Sequence, residues 1–441
     1  MRIQGRALKV AKAAARWTLS TITSARAVQV IGEPIFRLVG TRTKGGALDV
    51  SLVKRALVVR PDEIGDVVMT TPFLRELRRL FPEAWITLVV KPAVFNLVER
   101  CPYVNEVLTY DWSVSPYCGP LQRHWRALRL ARRHFWRRRF DLAIVPRWDA
   151  DDHHATFVAY FSGAPWRLGY SENVIDRKRR LNAGLDRLFT HVLDENSLKH
   201  EVQHNLDVVR FLGGTVQEDR LELWMSPDDE AFAEQVLRSH GIRHGDPLIA
   251  FSPGARHPKR MWLLANFAEV GIWLKRKYHA HIVIVGEQGE ESLGQELQQQ
   301  IGGAVINVVG QTTLRQAGAL LKRCHLFVGN DAGPMHLAAA SGVPVVEISC
   351  HPLAGSPTHQ NSPRRFGPWS VPHHTLQPEK ALSSCSQACD AGQAHCILRI
   401  TVEQVKEAVV AQLAPCDASN HGRLAYSPGA AAVFRRSQPG I

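Results

Sequence analysis

The chain has 441 residues, of which 45% are hydrophobic and 22% charged, and a formal net charge of +13. A domain occupies roughly 100–200 residues, so this length and apolar content predict two folded domains and exclude a disordered or fibrous chain. Eight cysteines in this length exclude a disulfide-built scaffold. The surplus positive charge bears on partners, leaving nucleic acid, an anionic membrane face or an acidic glycan open.

Residues 1–50 read as a basic amphipathic extension. Ile3, Ala7, Val10, Ala14 and Trp17 fall on one helical stripe, with Arg2, Arg6, Lys9 and Arg16 beside it. Such a helix can lie in a membrane interface or pack on the body of the protein, or the segment can be a partly disordered arm. The N-terminus lacks the apolar stretch and cleavage site of a signal peptide. No apolar run reaches the roughly 18 residues of a membrane span. A cytoplasmic protein, peripheral on the inner membrane, is expected. Gly45-Gly46 mark a linker.

From residue 56 strands alternate with helices. Ala56–Arg60, Ile86–Val90 and Leu142–Val145 are short apolar runs that read as buried strands, and Val67–Phe81 reads as one helix. The pattern weakens between about 150 and 225 and restarts near Ser226-Pro227. Leu248–Ser252, His281–Val285, Val305–Val309, Leu326–Gly329 and Val343–Ile348 then read as strands, with helices at Leu263–Lys277 and Leu314–Lys322. This alternation predicts an α/β fold of two Rossmann-like, doubly wound parallel-sheet domains, at 51–225 and 226–415, facing each other across a cleft. Residues 416–441 read as a flexible tail.

Three turns at strand ends carry candidate chemistry, because ligands in open parallel sheets bind outside the carboxyl ends of the strands. In the first, Arg60 to Asp66, the carboxylate of Asp66 follows a glycine at the start of a helix and is either a helix cap or a reacting group. In the second, Gly254 lets backbone approach a ligand, and Arg256, Lys259 and Arg260 either neutralise a diphosphate or, as the residues alone favour, form a solvated basic loop. The third, Gly329 to His336, is a turn into a helix with Pro334 at its start, whose free N–H groups favour phosphate. Here Asp331 suits an orienting or capping role, Gly333 lies in the turn, and His336 either faces the ligand or simply packs. G-x-G-x-x-G is absent from the first turn, and neither G-x-x-x-x-G-K-[ST] nor G-x-S-x-G occurs, which counts against dehydrogenase, P-loop and hydrolase readings.

The stretch Ala56–Leu80, with Ile64-Gly65-Asp66 and Thr70-Thr71-Pro72, resembles the opening of glycosyltransferase family 9, the lipopolysaccharide heptosyltransferases. Ser252-Pro253-Gly254 with Lys259-Arg260-Met261-Trp262 resembles the family's second motif, and Gly329 to His336 its third. Cys385, Cys389 and Cys396 followed by Ile400 to Val405 resemble its ending. The resemblance spans about residues 53–412. It implies a GT-B fold and inverting transfer of a sugar, a heptose from ADP-heptose, onto an acidic lipid-linked glycan, with no cofactor and no required metal. It implies Asp66 as catalytic base, Lys259 or Arg260 at the donor diphosphate, and Asp331, Gly333 and His336 in the donor-binding turn. Ala255-Arg256 departs from the hydroxyl-bearing residues of some members, and Gly286-Glu287-Gln288 only loosely matches the loop at the nucleoside.

Two further features remain. Eight arginines between Arg123 and Arg139, interleaved with Trp125, Phe135 and Trp136, are followed by Arg177-Lys178-Arg179-Arg180. Arginine suits phosphate and carboxylate, so Arg133 and Arg137 are candidate acceptor contacts, with a membrane surface or plain solvation as the other uses. Cys385, Cys389 and Cys396, with His395, are either a metal site or structural thiols; they lack the paired C-x2-C of common zinc sites, so structural thiols are the preferred reading and no metal is assigned. A nucleic-acid-binding protein, a nucleotide-sugar epimerase and a non-catalytic scaffold are the competing readings; nucleic acid is not expected as a partner, because it leaves the glycine turns unexplained.

Overall fold

The structure, a computed structural model, describes residues 25–36, 38, 48–112 and 120–413. The Ile3–Trp17 stripe, Gly45-Gly46 and the tail from 416 lie outside the described residues. The chain divides into two compact units, Met1–Trp224 and Met225–Ile441.

The first unit is built on strands β1 (Arg55–Arg60), β2 (Trp85–Val90), β3 (Glu106–Thr109), β4 (Leu142–Val145), β5 (Trp166–Tyr170) and β6 (His191–Leu193). Their order is β3-β2-β1-β4-β5-β6, and every pairing is parallel. The chain winds outward from β1 to β3, returns to the centre at β4 and winds outward the other way. The reversal leaves a crevice at the carboxyl ends of β1 and β4, where such sheets take their ligands. Ala56 to Val59 and the whole of β4 are buried, as helices on both faces of a parallel sheet require.

The second unit repeats the plan. Strands β7 (Leu248–Ser252), β8 (His281–Ile284), β9 (Val305–Asn307), β10 (Leu326–Asn330), β11 (Val345–Ile348) and β12 (His373–Leu376) form a parallel sheet of order β12-β11-β10-β7-β8-β9. Its reversal lies between β7 and β10, so the turns leaving these two strands are neighbours. Both units are therefore doubly wound α/β folds.

Two helices bear on the sequence pattern. The helix expected over Val67–Phe81 is two helices, Ile64–Val68 and Thr71–Leu80. Pro72 has no N–H to continue the first helix, and it sits instead in the opening turn of the second. The hydroxyl of Thr71 closes the break by donating to the Val68 carbonyl at 2.8 Å. Second, within the expected extension, residues 25–36 follow the alternative of a helix packed on the body of the protein. They form a helix whose Ala25 and Phe36 enter the core of the first unit, with Phe36 packed edge-on against Tyr160 at 5.4 Å.

Candidate functional site

Each unit carries one constellation at its sheet reversal. In the first, β1 ends on Arg60, which is 1% exposed. Pro61 stops the strand, and the chain turns through Asp62 into the helix Ile64–Val68. Asp62 is the hub. Its carboxylate lies 3.2 Å from Arg60 Nε, accepts a hydrogen bond from Arg147 and lies 2.7 Å from His153 Nδ1. Arg147 and His153 come from the loop leaving β4, so the β1–β4 pairing, not chain proximity, assembles the group. Trp112 packs on His153 at 4.7 Å and closes one side.

Asp66 lies in the first turn of that short helix but is not its cap. Glu63 holds the cap position and makes no side-chain cap bond. The choice left open by the sequence therefore falls against capping. Asp66 is paired only loosely with Arg60, whose Nη2 is 3.7 Å away. Nη1 and Nη2 of Arg60 are buried and have no hydrogen-bond partner among the described residues.

The two carboxylates are driven apart electrostatically. Burial alone would raise the pKa of Asp62, but Arg147 and Arg60 outweigh it and hold the group ionised well below the usual carboxylate range. Asp66 moves upward, first through burial and then through the negative charge of Asp62, with Arg60 and Arg147 opposing. One carboxylate fixed as an anion beside another with raised proton affinity is the arrangement that separates a structural charge from a proton acceptor.

The arginine-rich segment is a helix over Pro120–Leu130 continued by a π-helical turn over Ala131–Phe135. Its start approaches the Asp62 group: the Arg123 guanidinium lies over Trp112 at 5.5 Å, and the Trp112 indole N–H points to the Pro61 carbonyl at 3.4 Å. Its end does not. Arg138 pairs with Glu106 at the start of β3, and its carbonyl receives Arg55 from the start of β1. Exposed Arg137 adjoins it and Arg133 lies one turn earlier, so the structure brings neither to Asp66. Arg177 is occupied by Asp149 and Asp152 at 2.6 and 2.5 Å. Lys178 is buried against the carbonyls of Arg147 and Tyr170.

In the second unit, Asn330 at the end of β10 organises the site. Its amide donates to the Pro253 carbonyl at 2.7 Å and accepts from Trp262 N at 3.1 Å, tying the turn after β7 to the turn after β10. Arg260 rises from the short helix Pro258–Arg260, donates to the Asp331 carbonyl at 3.3 Å and to Asn361, and faces the Asp331 carboxylate at 3.4 Å. Asp331 has a raised pKa because burial outweighs Arg260 and His351. Gly333 opens the helix Gly333–Ala340, Pro334 lies in its first turn and His336 is buried behind it. A carbon added at Gly254 would collide with the Glu290 carboxylate. Arg256 is exposed. Lys259 donates to the Cys389 carbonyl at 2.7 Å.

Sequence reasoning missed Asp62, Arg147 and His153 in the first unit, and Asn330, His351, Asn361 and Glu290 in the second. Asp62 lies inside the first motif, two residues past the end of the expected strand, so its position was a usable signal. The others become neighbours of the site only through strand order.

Residues 128–380 match the model of the family described as glycosyltransferase family 9 (heptosyltransferase). Lipopolysaccharide heptosyltransferase 2 of Escherichia coli K12 is 26% identical over 304 residues, covering 67% of this chain and 82% of the relative. A glycosyltransferase of family 9 from Veillonella parvula superposes with a TM-score of 0.69 at 24% identity, over 84% of this chain and all of the other. The E. coli protein described as ADP-heptose lps heptosyltransferase II superposes with a TM-score of 0.58 at 23% identity, over 82% of this chain and 99% of the other.

Proposed function

The chain belongs to glycosyltransferase family 9, and from that premise we propose that it transfers a heptose from ADP-heptose to an acidic, lipopolysaccharide-type acceptor with inversion at the anomeric carbon. The observation that carries the mechanism is the opposed state of Asp62 and Asp66, one anion locked by two arginines and one carboxylate with raised proton affinity. Asp66 takes the proton of the attacking acceptor hydroxyl as general base. The sugar passes through an oxocarbenium-like state. The leaving diphosphate is met by Arg260 and by the N–H groups opening the helix at Gly333, which stabilise charge as it develops. ADP-heptose as donor is favoured by the relatives, one of which carries it in its name. The acidic acceptor is favoured by the net charge of +13. We place the protein at the inner membrane face, where Arg132, Arg133, Arg137 and Arg139 are exposed to meet anionic lipid; no described helix is long and apolar enough to cross a membrane.

The test is a transfer assay with ADP-heptose and heptose-deficient lipopolysaccharide, read by mass spectrometry of the acceptor and NMR of the new linkage. The acceptor is expected to gain heptose with the anomeric configuration inverted. Transfer from GDP- or UDP-sugars and not from ADP-heptose would overturn the donor assignment, and a retained configuration would overturn the mechanism.

A further inference from the structure

Between β12 and the closing helix Val402–Leu413 the chain runs for some 25 residues with only one short 3₁₀ turn, Cys396–Arg399. Irregular segments longer than about 12–15 residues are uncommon in compact domains without a special tie. This one is not loose. Cys389, Cys396, Ile397 and Ile400 are buried in the core of the second unit. The tie lies in its side chains: one donor atom each from Cys385, Cys389, His395 and Cys396 falls within 4.8 Å of the other three.

The geometry points to a metal site, and we propose that these four residues hold one tetrahedral divalent ion, zinc or ferrous iron, as a structural staple of the second unit. A tetrahedral ion with metal–sulfur bonds of ~2.3 Å and metal–nitrogen bonds of ~2.0–2.1 Å sets its sulfur–nitrogen edges near ~3.6 Å. His395 Nδ1 lies 3.6 Å from Cys385 Sγ and 3.5 Å from Cys396 Sγ. The backbone N–H of Asp390 points at Cys385 Sγ from 3.4 Å, the kind of outer contact that orients a thiolate ligand. All three cysteines are free of disulfides. Three thiolates and one imidazole form the closed donor set of a structural site, with no position left for substrate, and soft sulfur selects zinc or iron over magnesium or calcium. The C-x3-C-x5-H-C spacing made this the lesser reading of the sequence, because the first pair is a residue longer than the common zinc knuckle and the last two ligands are adjacent in sequence.

The staple reaches the donor-side turn. The Cys389 carbonyl receives Lys259 at 2.7 Å, and the Ile400 carbonyl receives the Trp262 indole N–H at 2.9 Å. Those contacts bracket Arg260. Lys259 thus acts as a strut from the metal loop to the turn that carries Arg260.

The full-length protein, purified anaerobically without chelator, should contain about one equivalent of zinc plus iron per chain by plasma mass spectrometry. Which metal dominates identifies the ion. After metal removal, one equivalent of Co(II) should give the intense visible bands of tetrahedral thiolate-bound cobalt. Cys385→Ser, at the most exposed of the three thiols, should lower metal content several-fold and blunt the cobalt spectrum while circular dichroism stays that of a folded protein. Asp66→Asn should keep its metal, so a failure of the catalytic reading and a failure of this one are read separately. Folded wild-type protein with no zinc or iron, and no cobalt spectrum on reconstitution, would overturn the proposal. So would full metal content in a Cys385→Ser, Cys389→Ser double variant.

Discussion

Replacing Asp62 by Asn tests the electrostatic account of the first unit from two directions. Asp62 is 1% exposed and neutralises the buried Arg60 and the largely buried Arg147. Asn keeps the shape and removes the charge, which takes from both guanidinium groups their shared, closest counter-ion and leaves Arg60 only the looser Asp66. Breaking one side of a buried ion pair costs about 3–5 kcal/mol, so a marked fall in melting temperature is expected at neutral pH. That penalty has a pH signature. The folded-state pKa of Asp62 is depressed, so its stabilising contribution is complete above its unfolded value near ~4 and is lost on acidification below it. The stability gap between wild type and Asp62→Asn should therefore close as pH falls below about 4. Asp66 responds in the opposite sense. Burial still raises its pKa, but the next contribution, the charge of Asp62, is gone, while Arg60 and Arg147 remain. The acid limb of kcat/KM should move to lower pH, and turnover on the plateau should fall because a weaker base accepts the hydroxyl proton. A loss of about 1.4 kcal/mol of like-charge repulsion lowers the proton affinity of Asp66 tenfold and displaces that limb by one pH interval of about 1, which a profile resolves. Chemical denaturation across pH and a pH–rate profile on the same samples supply both readouts. An acid limb that stays in place or moves upward would refute the proposed coupling of Asp62 to Asp66.

Two further substitutions probe the second unit. Asn330→Ala removes the amide that ties Pro253 and Trp262 to the end of β10; it should cost about 1–3 kcal/mol and weaken ADP binding, as calorimetry would show, and unchanged nucleotide affinity would separate Asn330 from the donor turn. Glu347 is fully buried, and burial, followed by the charge of Asp331, pushes its pKa up to about 8. The unfolded chain releases that proton near ~4.3, so ionisation destabilises the fold progressively from there to about pH 8. Glu347→Gln should match wild type in acid and exceed its stability by a gap that widens towards pH 8, to the order of a few kcal/mol; a gap independent of pH would contradict the buried neutral acid.

The parts of the fold legible in the sequence are those whose physics is local. Ala56 to Val59 and Leu142 to Val145 are apolar because both faces of the sheet are covered there, and each run ends at a proline. The strands that escape detection carry no such run. β3 and β6 lie at the sheet edge with partly exposed side chains, and His373-His374-Thr375-Leu376 is the outer strand of the other sheet. In β5, Arg167 interrupts the pattern, yet it is buried because its guanidinium is taken up by the carbonyls of Leu188 and Ala164. The site divides in the same way. Asp66 is visible because a carboxylate follows a glycine at the start of a helix. Arg147 is not, because it reaches Asp62 across 85 residues through the pairing of β4 with β1. Lys259 illustrates a different limit. A cation beside a glycine turn suggests phosphate, whereas its ammonium is turned to the Cys389 carbonyl, an engagement set 130 residues away.

Catalysis as proposed turns on Asp66 accepting the proton of the attacking hydroxyl. Asp66→Asn keeps the volume and polarity of the side chain but cannot take that proton. Turnover, ADP affinity and melting temperature should be measured together on the purified variant. The value of kcat should fall about 10²–10⁴-fold, with nucleotide binding and folding close to wild type. Turnover near the wild-type rate in a folded, ADP-binding Asp66→Asn protein would contradict that role for Asp66.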